Sequence, residues 1–337
     1  MPACHFVPVW YSDTVWLVGG GDSAANVGTR QEAHHVRIVS VGEILWDVIG
    51  KNEYLGGAPL NFAAHAQKLG HEVYPLSAVG ADKRGQKAIQ MLKSRGMSTQ
   101  FIQVLRDQPT GTAEVELDME GKPTFRIVRP VAYDFVDLTD HELTEIAKLK
   151  PEWIYLGTLY HMSSHSLAST EKLLAAAPKA RRFYDINLRE GQWSLATVEQ
   201  LCSLANVIKL SDFEAESLDG SVDASEGPSD SMADFCRRWN ARFAFETMCI
   251  TFGERGCAIF KEGRFTRGPG YHITVADTVG AGDAFSAAFV HGLSQGWDAH
   301  QIACWANAVG ALVASRSGPI PDWTIAEAHA LVKEQAH

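Results

Sequence analysis

The sequence predicts an α/β protein with a doubly wound, mostly parallel sheet flanked by helices, and with a small β-sheet lid. Short apolar segments alternate with helical patterns from about residue 36 onward, which is typical of parallel strands joined by helices. Two other segments, 43–49 and 112–128, instead alternate polar and apolar residues, as strands with one solvated face do. A glycine-rich turn at 280–282 precedes a helical pattern and marks a candidate ligand site.

The composition is that of an ordinary globular protein. The chain has 337 residues, 46% of them hydrophobic and 21% charged, with a formal net charge of -10. Because Lys and Arg are not concentrated in runs, we expect no nucleic-acid partner and no anionic membrane partner. Six cysteines lack a C-x-x-C pair, and the first residues lack the basic start of a signal peptide, so reduced thiols and a cytoplasmic location are expected.

The chain divides into two parts. Residues 1–35 combine prolines, three consecutive glycines and paired histidines without a sustained period, and we expect a poorly structured N-terminal extension. Residues 36–337 are expected to form a single domain. The strands predicted for its main sheet are 36–41, 73–79, 153–156, 182–185, 207–210 and 249–251. The helices predicted most clearly are 59–69, which has a proline at its start, 84–95, and 284–295.

The lid is predicted from strands at about 43–57 and 110–130. The segment 112–119 alternates strictly, turns through Glu120-Gly121 and continues as 124–128, which is a hairpin with one apolar face. Such a hairpin either projects over a site and excludes water from it, or merely extends the edge of the main sheet. Both interpretations stay open at this point.

The segment Asp-Thr-Val-Gly-Ala-Gly-Asp-Ala-Phe at 277–285 predicts an anion site. A short strand is expected at 273–276 and a helix after the turn, so that Gly280, Ala281 and Gly282 would present unpaired amides at a helix start. Asp283 would lie beside whatever those amides hold. A carboxylate in that place suits removal of a proton from a hydroxyl during phosphoryl transfer, although an acid in a first turn can also simply complement the helix dipole.

Two segments together resemble the ribokinase-like carbohydrate kinases, and within them the fructokinase branch. They are Gly-Gly-Ala-Pro-Leu-Asn-Phe-Ala at 56–63 and the segment at 277–285, and the resemblance extends from about residue 36 to 321. It implies a doubly wound core, a β lid over the sugar, and transfer of the γ-phosphoryl group of ATP, with Mg²⁺, to a sugar hydroxyl. Fructose is the expected sugar, Asp283 the implied base, and 280–282 the implied anion hole.

The same resemblance implies which residues bind the sugar. They are Asp47, Gly56, Gly57, Asn61, Arg129 and Asn187. A carboxylate at 47 can accept two hydroxyls, and the glycines would let the backbone approach the sugar. Arg129 is also compatible with an ordinary solvent-exposed side chain.

Nucleotide and metal contacts are implied in the same way. The implied nucleotide residues are Lys209, Thr251, Gly253, Gly256, Asn307 and Arg189. Glu214 would organise Mg²⁺ through water, but Ser211 stands where the family has Asn, and Ser-x-x-Glu is also a helix capping box. Asp277 with the loop 315–318 is a candidate site for a monovalent cation such as K⁺. A homodimer formed through the lid is a further expectation.

Several other functions can be read from isolated patterns. Residues 19–24 fit a dinucleotide fingerprint, but the following segment has no apolar helical stripe and the required βαβ unit is missing. Residues 80–87 have P-loop glycines without the Lys-Ser/Thr pair. His161 and His165 have a zinc-site spacing, yet Met162 replaces the catalytic glutamate. A kinase for 2-keto-3-deoxygluconate, ribose or a nucleoside, and a catalytically silent sugar-binding protein, remain alternatives.

Overall fold

The computed structural model describes residues 34–49, 51–117 and 123–334. Most of the expected N-terminal extension, and the turn at Glu120-Gly121, lie outside the described residues. The strands are β1 (Arg37–Val41), β2 (Leu45–Ile49), β3 (Asn52–Gly56), β4 (Glu72–Gly80), β5 (Phe101–Leu105), β6 (Gly111–Leu117), β7 (Pro123–Ile127), β8 (Trp153–Gly157), β9 (Arg181–Asp185), β10 (Val207–Ser211), β11 (Thr247–Thr251), β12 (Cys257–Lys261) and β13 (Arg264–Gly268).

Helices follow most of the parallel strands. They are α1 (Ala58–Lys68), α2 (Lys83–Ser94), α3 (Asp140–Leu149), α4 (Ser164–Ala176), α5 (Leu195–Leu204), α6 (Asp212–Leu218), α7 (Asp230–Phe243), α8 (Ala281–Ser294), α9 (Ala299–Ala314) and α10 (Ile325–Glu334). Among the described residues, no helix is long and apolar enough to cross a membrane.

The main sheet has nine strands in the order β13-β12-β11-β10-β9-β8-β1-β4-β5. Strands β4, β5, β1, β8, β9, β10 and β11 pair in parallel, and β12 and β13 are antiparallel. Buried apolar side chains form a cluster on each face of the sheet, as the doubly wound prediction requires. The strand order changes direction at β1, which lies between β4 and β8, and ligands of such sheets bind beyond the carboxyl ends of the strands at that point.

The lid is a separate four-stranded sheet in the order β3-β2-β6-β7. Since β6 pairs with β2 and with β7, and neither β6 nor β7 pairs with β5 or β13, the interpretation as an edge extension of the main sheet is wrong. The lid is tied to α2, because Glu53 pairs with Arg84 at 2.7 Å and Trp46 Nε1 donates to the Arg84 carbonyl at 3.2 Å.

One predicted strand is absent. Residues 273–276 form a loop without strand pairing, in which the side chain of Val275 is 59% exposed. The amides of Ala276 and Asp277 both donate to the carbonyl of Ala314, at 2.9 and 3.2 Å. The segment is therefore held against the end of α9 instead of joining the sheet, and the expectation of a strand at 273–276 is wrong.

Candidate active site

A cleft of about 870 Å³ separates the lid from the carboxyl edge of the main sheet. The lid contributes Asp47 and Tyr54, while the start of α8 contributes Gly282 and Asp283. The predicted site residues that line this cleft are Asp47, Gly57, Asn61, Asn187, Arg189, Asp277, Gly280, Gly282 and Asp283. Residues separated by more than 200 positions in the sequence thus meet around one space.

Asp283 is the acid in the first turn of α8. It is half-buried, and its Oδ2 accepts a hydrogen bond of 2.8 Å from Nδ2 of Asn61 in α1. Burial raises the pKa of Asp283 to about 6, although the bond from Asn61 acts in the opposite direction. A carboxylate with that pKa can accept a proton near neutral pH.

The backbone before Asp283 forms only part of the predicted anion hole. Gly280 has a φ of 79° and lies so close to the loop at 319 that an added Cβ would be 2.4 Å from the Pro319 carbonyl oxygen. Ala281 N donates to the Thr278 carbonyl at 3.3 Å, so the prediction of three unpaired amides is wrong for Ala281. Within the described part of the chain, the amides of Gly280 and Gly282 have no acceptor and remain available to an anion.

A buried ion pair supports the start of α8 from below. Lys209 Nζ lies 3.0 Å from Asp185 Oδ1, and Ser286 Oγ donates to Asp185 Oδ2 at 2.7 Å. Burial lowers the pKa of Lys209, but Asp185, Glu214 and Asp283 together more than offset this and raise the pKa above its usual value. Lys209 is therefore a charged residue beneath Gly282, outside the lining of the cleft, and its nucleotide contact remains a prediction.

The sugar end of the cleft contains Asp47, whose pKa burial raises to about 6. At both glycines that were expected to approach the sugar, a side chain would collide with atoms of the protein itself. A Cβ at Gly56 would be 2.8 Å from Asp47 Oδ2, and one at Gly57, where φ is 114°, would be 2.3 Å from the Glu43 carbonyl oxygen. Gly56 thus makes room for the Asp47 carboxylate rather than for a ligand, while Gly57 also lines the cleft.

The expectation that Arg129 reaches the sugar is wrong. Its guanidinium forms an ion pair with Asp134 and donates to the Leu159 carbonyl at 2.6 Å, and it does not line the cleft. The buried Asp134 carboxylate holds the arginine within the protein.

Asn187 and Arg189 do line the cleft. Asn187 has a φ of 42°, and its Oδ1 accepts from Arg189 Nη1 at 2.7 Å. Arg189 was expected among the nucleotide ligands. Burial raises the pKa values of Glu43, Asp47 and Asp283, and the charge of Arg189 opposes part of that rise. The structure therefore places this cation among the carboxyl groups of the cleft.

Glu214 closes the capping box of α6. Its Oε2 accepts from Ser211 N at 2.7 Å, its Oε1 accepts from Leu188 N at 2.6 Å, and Ser211 Oγ accepts from Glu214 N at 3.2 Å. These hydrogen bonds give Glu214 a structural role that needs no metal ion. The described residues contain no group of three or more His, Cys, Asp or Glu that could hold a metal ion. In kinase sites Mg²⁺ commonly binds substrate phosphates and water with one or two carboxylates.

The remaining nucleotide residues lie outside the lining of the cleft. They are Thr251, Gly253, Gly256 and Asn307. A Cβ at Gly256 would be 2.2 Å from the Gly268 carbonyl oxygen, and Asn307 Nδ2 donates to the Pro269 carbonyl at 2.9 Å. Gly256 and Asn307 thus have structural contacts of their own, and their predicted roles remain predictions.

Asp277 connects the two loops at the other end of the cleft. Its Oδ2 accepts from Gly318 N at 3.0 Å and its Oδ1 from Val279 N at 3.0 Å. The structure thus brings Asp277 to the loop 315–318, as expected, but both carboxylate oxygens already accept amide protons. A monovalent cation would have to share them.

A histidine that the sequence did not single out positions the same loop. Trp323 Nε1 can only donate, and it lies 3.1 Å from His65 Nδ1, so the proton of the imidazole is on Nε2, which donates to the Pro319 carbonyl at 2.9 Å. Burial lowers the pKa of His65 to about 4, which keeps the ring neutral. Pro319 is the residue that packs against Gly280.

The zinc interpretation of the histidine pair is not supported. His161 is buried, with Nδ1 2.6 Å from the Gly157 carbonyl and Nε2 2.8 Å from Thr170 Oγ1, while His165 is exposed. Both nitrogens of His161 are engaged by the protein.

Comparison with known proteins agrees with this geometry. Residues 37–326 match the model of the pfkB family carbohydrate kinases. Because the match covers most of the chain, the protein belongs to this family and is a carbohydrate kinase of the fructokinase-like branch.

Individual relatives share less than a third of their aligned residues with this chain. A fructokinase of Klebsiella pneumoniae is 29% identical over 247 residues, which cover 71% of this chain and 76% of the relative. The crystal structure of 2-dehydro-3-deoxygluconokinase from Thermotoga maritima has a TM-score of 0.77 at 20% identity and covers 89% of this chain and 100% of its own. A Vibrio cholerae fructokinase with fructose, ADP and calcium bound has a TM-score of 0.73 at 25% identity, covering 88% and 99%.

Proposed function

We propose that this kinase transfers the γ-phosphoryl group of ATP to a hydroxyl of D-fructose, with Asp283 as the general base. The observation that carries the proposal is the position of Asp283 in the cleft, beside the free amides of Gly280 and Gly282 and with its pKa raised to about 6. The fructokinases among the relatives favour fructose as the sugar.

The reaction follows from these residues. Asp283 accepts the proton of the sugar hydroxyl while the hydroxyl oxygen bonds to the γ-phosphorus and the bond from that phosphorus to the β-γ bridging oxygen breaks. The free amides at the start of α8 donate to the anionic oxygens of the phosphoryl group as charge redistributes. Asn61 holds the Asp283 carboxylate at Oδ2, which leaves Oδ1 for the substrate. Mg²⁺, bound to the phosphates, would neutralise their charge.

Asp47 and Asn187 are proposed to orient the sugar. Both line the cleft, and a carboxyl group and an amide offer acceptors and donors to several hydroxyls. The lid that carries Asp47 would exclude water from the phosphoryl group and so suppress hydrolysis of ATP.

A kinase for 2-keto-3-deoxygluconate is the second candidate. It is favoured by the TM-score of 0.77 with a kinase for that sugar acid, and Arg189 offers a cation in the cleft for a carboxylate.

A coupled assay of ADP release over a panel of sugars tests the proposal. The panel contains fructose, ribose, 2-keto-3-deoxygluconate and adenosine, each with ATP and Mg²⁺. We expect the highest kcat/KM with fructose. A higher kcat/KM with the sugar acid would contradict fructose and support the second candidate, and no ADP release with any acceptor would contradict the proposal as a whole.

A further inference from the structure

Glu43 occupies the point at which the main sheet gives way to the lid. It follows the carboxyl end of β1 by two residues, where the strand order changes direction. Its side chain is 4% exposed, yet it lines the cleft. It also borders a small chamber of about 10 Å³ whose other walls include Thr158, Asn187 and Arg189. A space of that size holds about one oxygen-sized group.

The two oxygens of this carboxyl group have different partners. Oε1 accepts a hydrogen bond of 3.1 Å from the amide of Ala58, the first residue of α1. Oε2 is buried and has no donor among the described residues. An unpaired buried carboxyl oxygen is costly, and an atom of this kind calls for a specific explanation such as a bound water or ligand.

Other unpaired polar atoms lie near Glu43. The Oδ1 atom of Asn61 and the hydroxyl of Tyr155 are buried and also have no partner in the described chain. Burial raises the pKa of Tyr155, and the charges of Asp185, Asp283 and Glu43 raise it further. Its hydroxyl lies beside Gly157, which borders the small chamber. Glu43 and Asn61 both line the cleft, which thus contains at least two unpaired buried oxygens that a polar occupant can satisfy.

We propose that Glu43 is a sugar-binding residue whose Oε2 forms a direct hydrogen bond with one hydroxyl of the acceptor sugar in the small chamber. This inference rests on the proposed function, since it assigns a further contact to the same site. Burial also raises the pKa of Glu43 to about 7, so near neutral pH the carboxyl group can either accept from or donate to a sugar oxygen. Arg189 and Asn187 border the same chamber and would complete the contacts of that hydroxyl.

The variant Glu43→Gln separates this role from the cap of α1. Glutamine keeps a carbonyl oxygen for the amide of Ala58 and replaces Oε2 with an NH₂ group. At pH 8.5, where the wild-type carboxylate is ionised and can only accept, we expect the KM for fructose to rise roughly 10- to 100-fold, the usual range for loss of a hydrogen bond to a charged group, while the KM for ATP changes less than about twofold. Glu171→Gln is the matched control, because Glu171 is exposed on α4 and lies outside the lining of the cleft, so neither KM value should change.

Three results would overturn the inference. The first is an unchanged KM for fructose in Glu43→Gln. The second is an equal rise of both KM values together with a lower Tm, which indicates a purely structural role. The third is a sugar-bound crystal structure in which a water, and not a sugar hydroxyl, contacts Oε2.

A failure of the proposed function can be distinguished from a failure of the Glu43 contact. If the wild-type protein released no ADP with any acceptor, fructose binding would be measured by calorimetry without ATP. Tight binding to the wild type and weak binding to Glu43→Gln would then support the contact without the chemistry, and equal binding to both proteins would overturn it.

Discussion

At the residue scale, the proposed function depends on carboxyl groups whose ionisation is disfavoured by burial. The pKa values of Asp47 and Asp283 rise to about 6, and that of Glu43 to about 7. Buried carboxyl groups with raised pKa values cluster at sites where proton transfer or ligand binding compensates their cost. The cleft of this kinase shows that pattern, and its pH dependence follows from it.

We expect kcat/KM for fructose to fall as the pH decreases through about 6. The base must be ionised in order to accept a proton, and Asp283 becomes protonated in that range. The loss should reach about tenfold per pH unit well below the pKa. A pH-rate profile from pH 8 to 4.5, with stability checked at each pH, measures it, and a flat profile down to pH 5 would contradict the assignment.

Asp283→Asn is expected to be more thermally stable than the wild type at pH 8. Because the pKa of this acid is raised in the folded state, keeping it ionised there lowers the free energy of unfolding. This loss of stability is fully present above the folded pKa of about 6 and disappears below the unfolded pKa. The Tm difference between the two proteins should therefore shrink as the pH falls toward 4. A lower Tm for the variant at pH 8 would show that the ionised carboxylate stabilises the fold.

The sequence predicted part of this site and missed the rest for physical reasons. Asp283 and its glycines lie within one turn, so local pattern reveals them. Arg129 was misassigned because an ion pair with Asp134 sets the orientation of its side chain, and the sequence alone does not reveal that pairing. Glu43 was seen as a polar interruption of a strand, since nothing local shows that one of its oxygens caps α1 and the other is unpaired.

At the scale of elements, the start of α8 packs against the loop that contains Pro319, and a side chain of α1 hydrogen-bonds to that loop. Trp323 fixes the tautomer of His65, His65 donates to the Pro319 carbonyl, and Pro319 packs against Gly280. The sequence placed the turn and the helix correctly, but not this support or the loop at 273–276. Strand prediction failed there because a short segment becomes a strand only where a neighbouring strand can pair with it, and the local sequence does not show that neighbour.

Trp323→Phe tests the support of this loop. Phenylalanine keeps an aromatic ring at the site but removes the Nε1 donor, so the tautomer of His65 is no longer fixed. We expect the KM for ATP to rise several-fold and stability to fall by about 1 kcal/mol, the usual contribution of one hydrogen bond, with the KM for fructose nearly unchanged. Steady-state kinetics with each substrate varied in turn would reveal it, and an unaltered KM for ATP would contradict the positioning role.

At the scale of the whole molecule, the lid and the main sheet form two walls of one site. The doubly wound sheet and the separate lid sheet were both predicted from the periodicity of the sequence, because strands with two buried faces and strands with one differ in composition. The joint position of the walls depends on contacts such as Glu53 with Arg84, which no periodicity encodes. Dimerisation through the lid stays a prediction.

Because the sugar contacts both walls in the proposed complex, fructose should stabilise the whole fold. At about 100 times its Kd, the expected gain in unfolding free energy is about 2.7 kcal/mol, which thermal unfolding would register as a rise in Tm. A sugar alcohol that is not phosphorylated serves as the control for nonspecific effects. Equal shifts with fructose and with the control would contradict binding between the walls.

The most direct test of the account is the turnover number of Asp283→Asn with saturating ATP and fructose. Asparagine keeps the size of the side chain but cannot accept the hydroxyl proton, and we expect kcat to fall at least ~10²-fold while the Kd for fructose, measured by calorimetry, changes little. A kcat close to that of the wild type would contradict the assignment of Asp283 as the base.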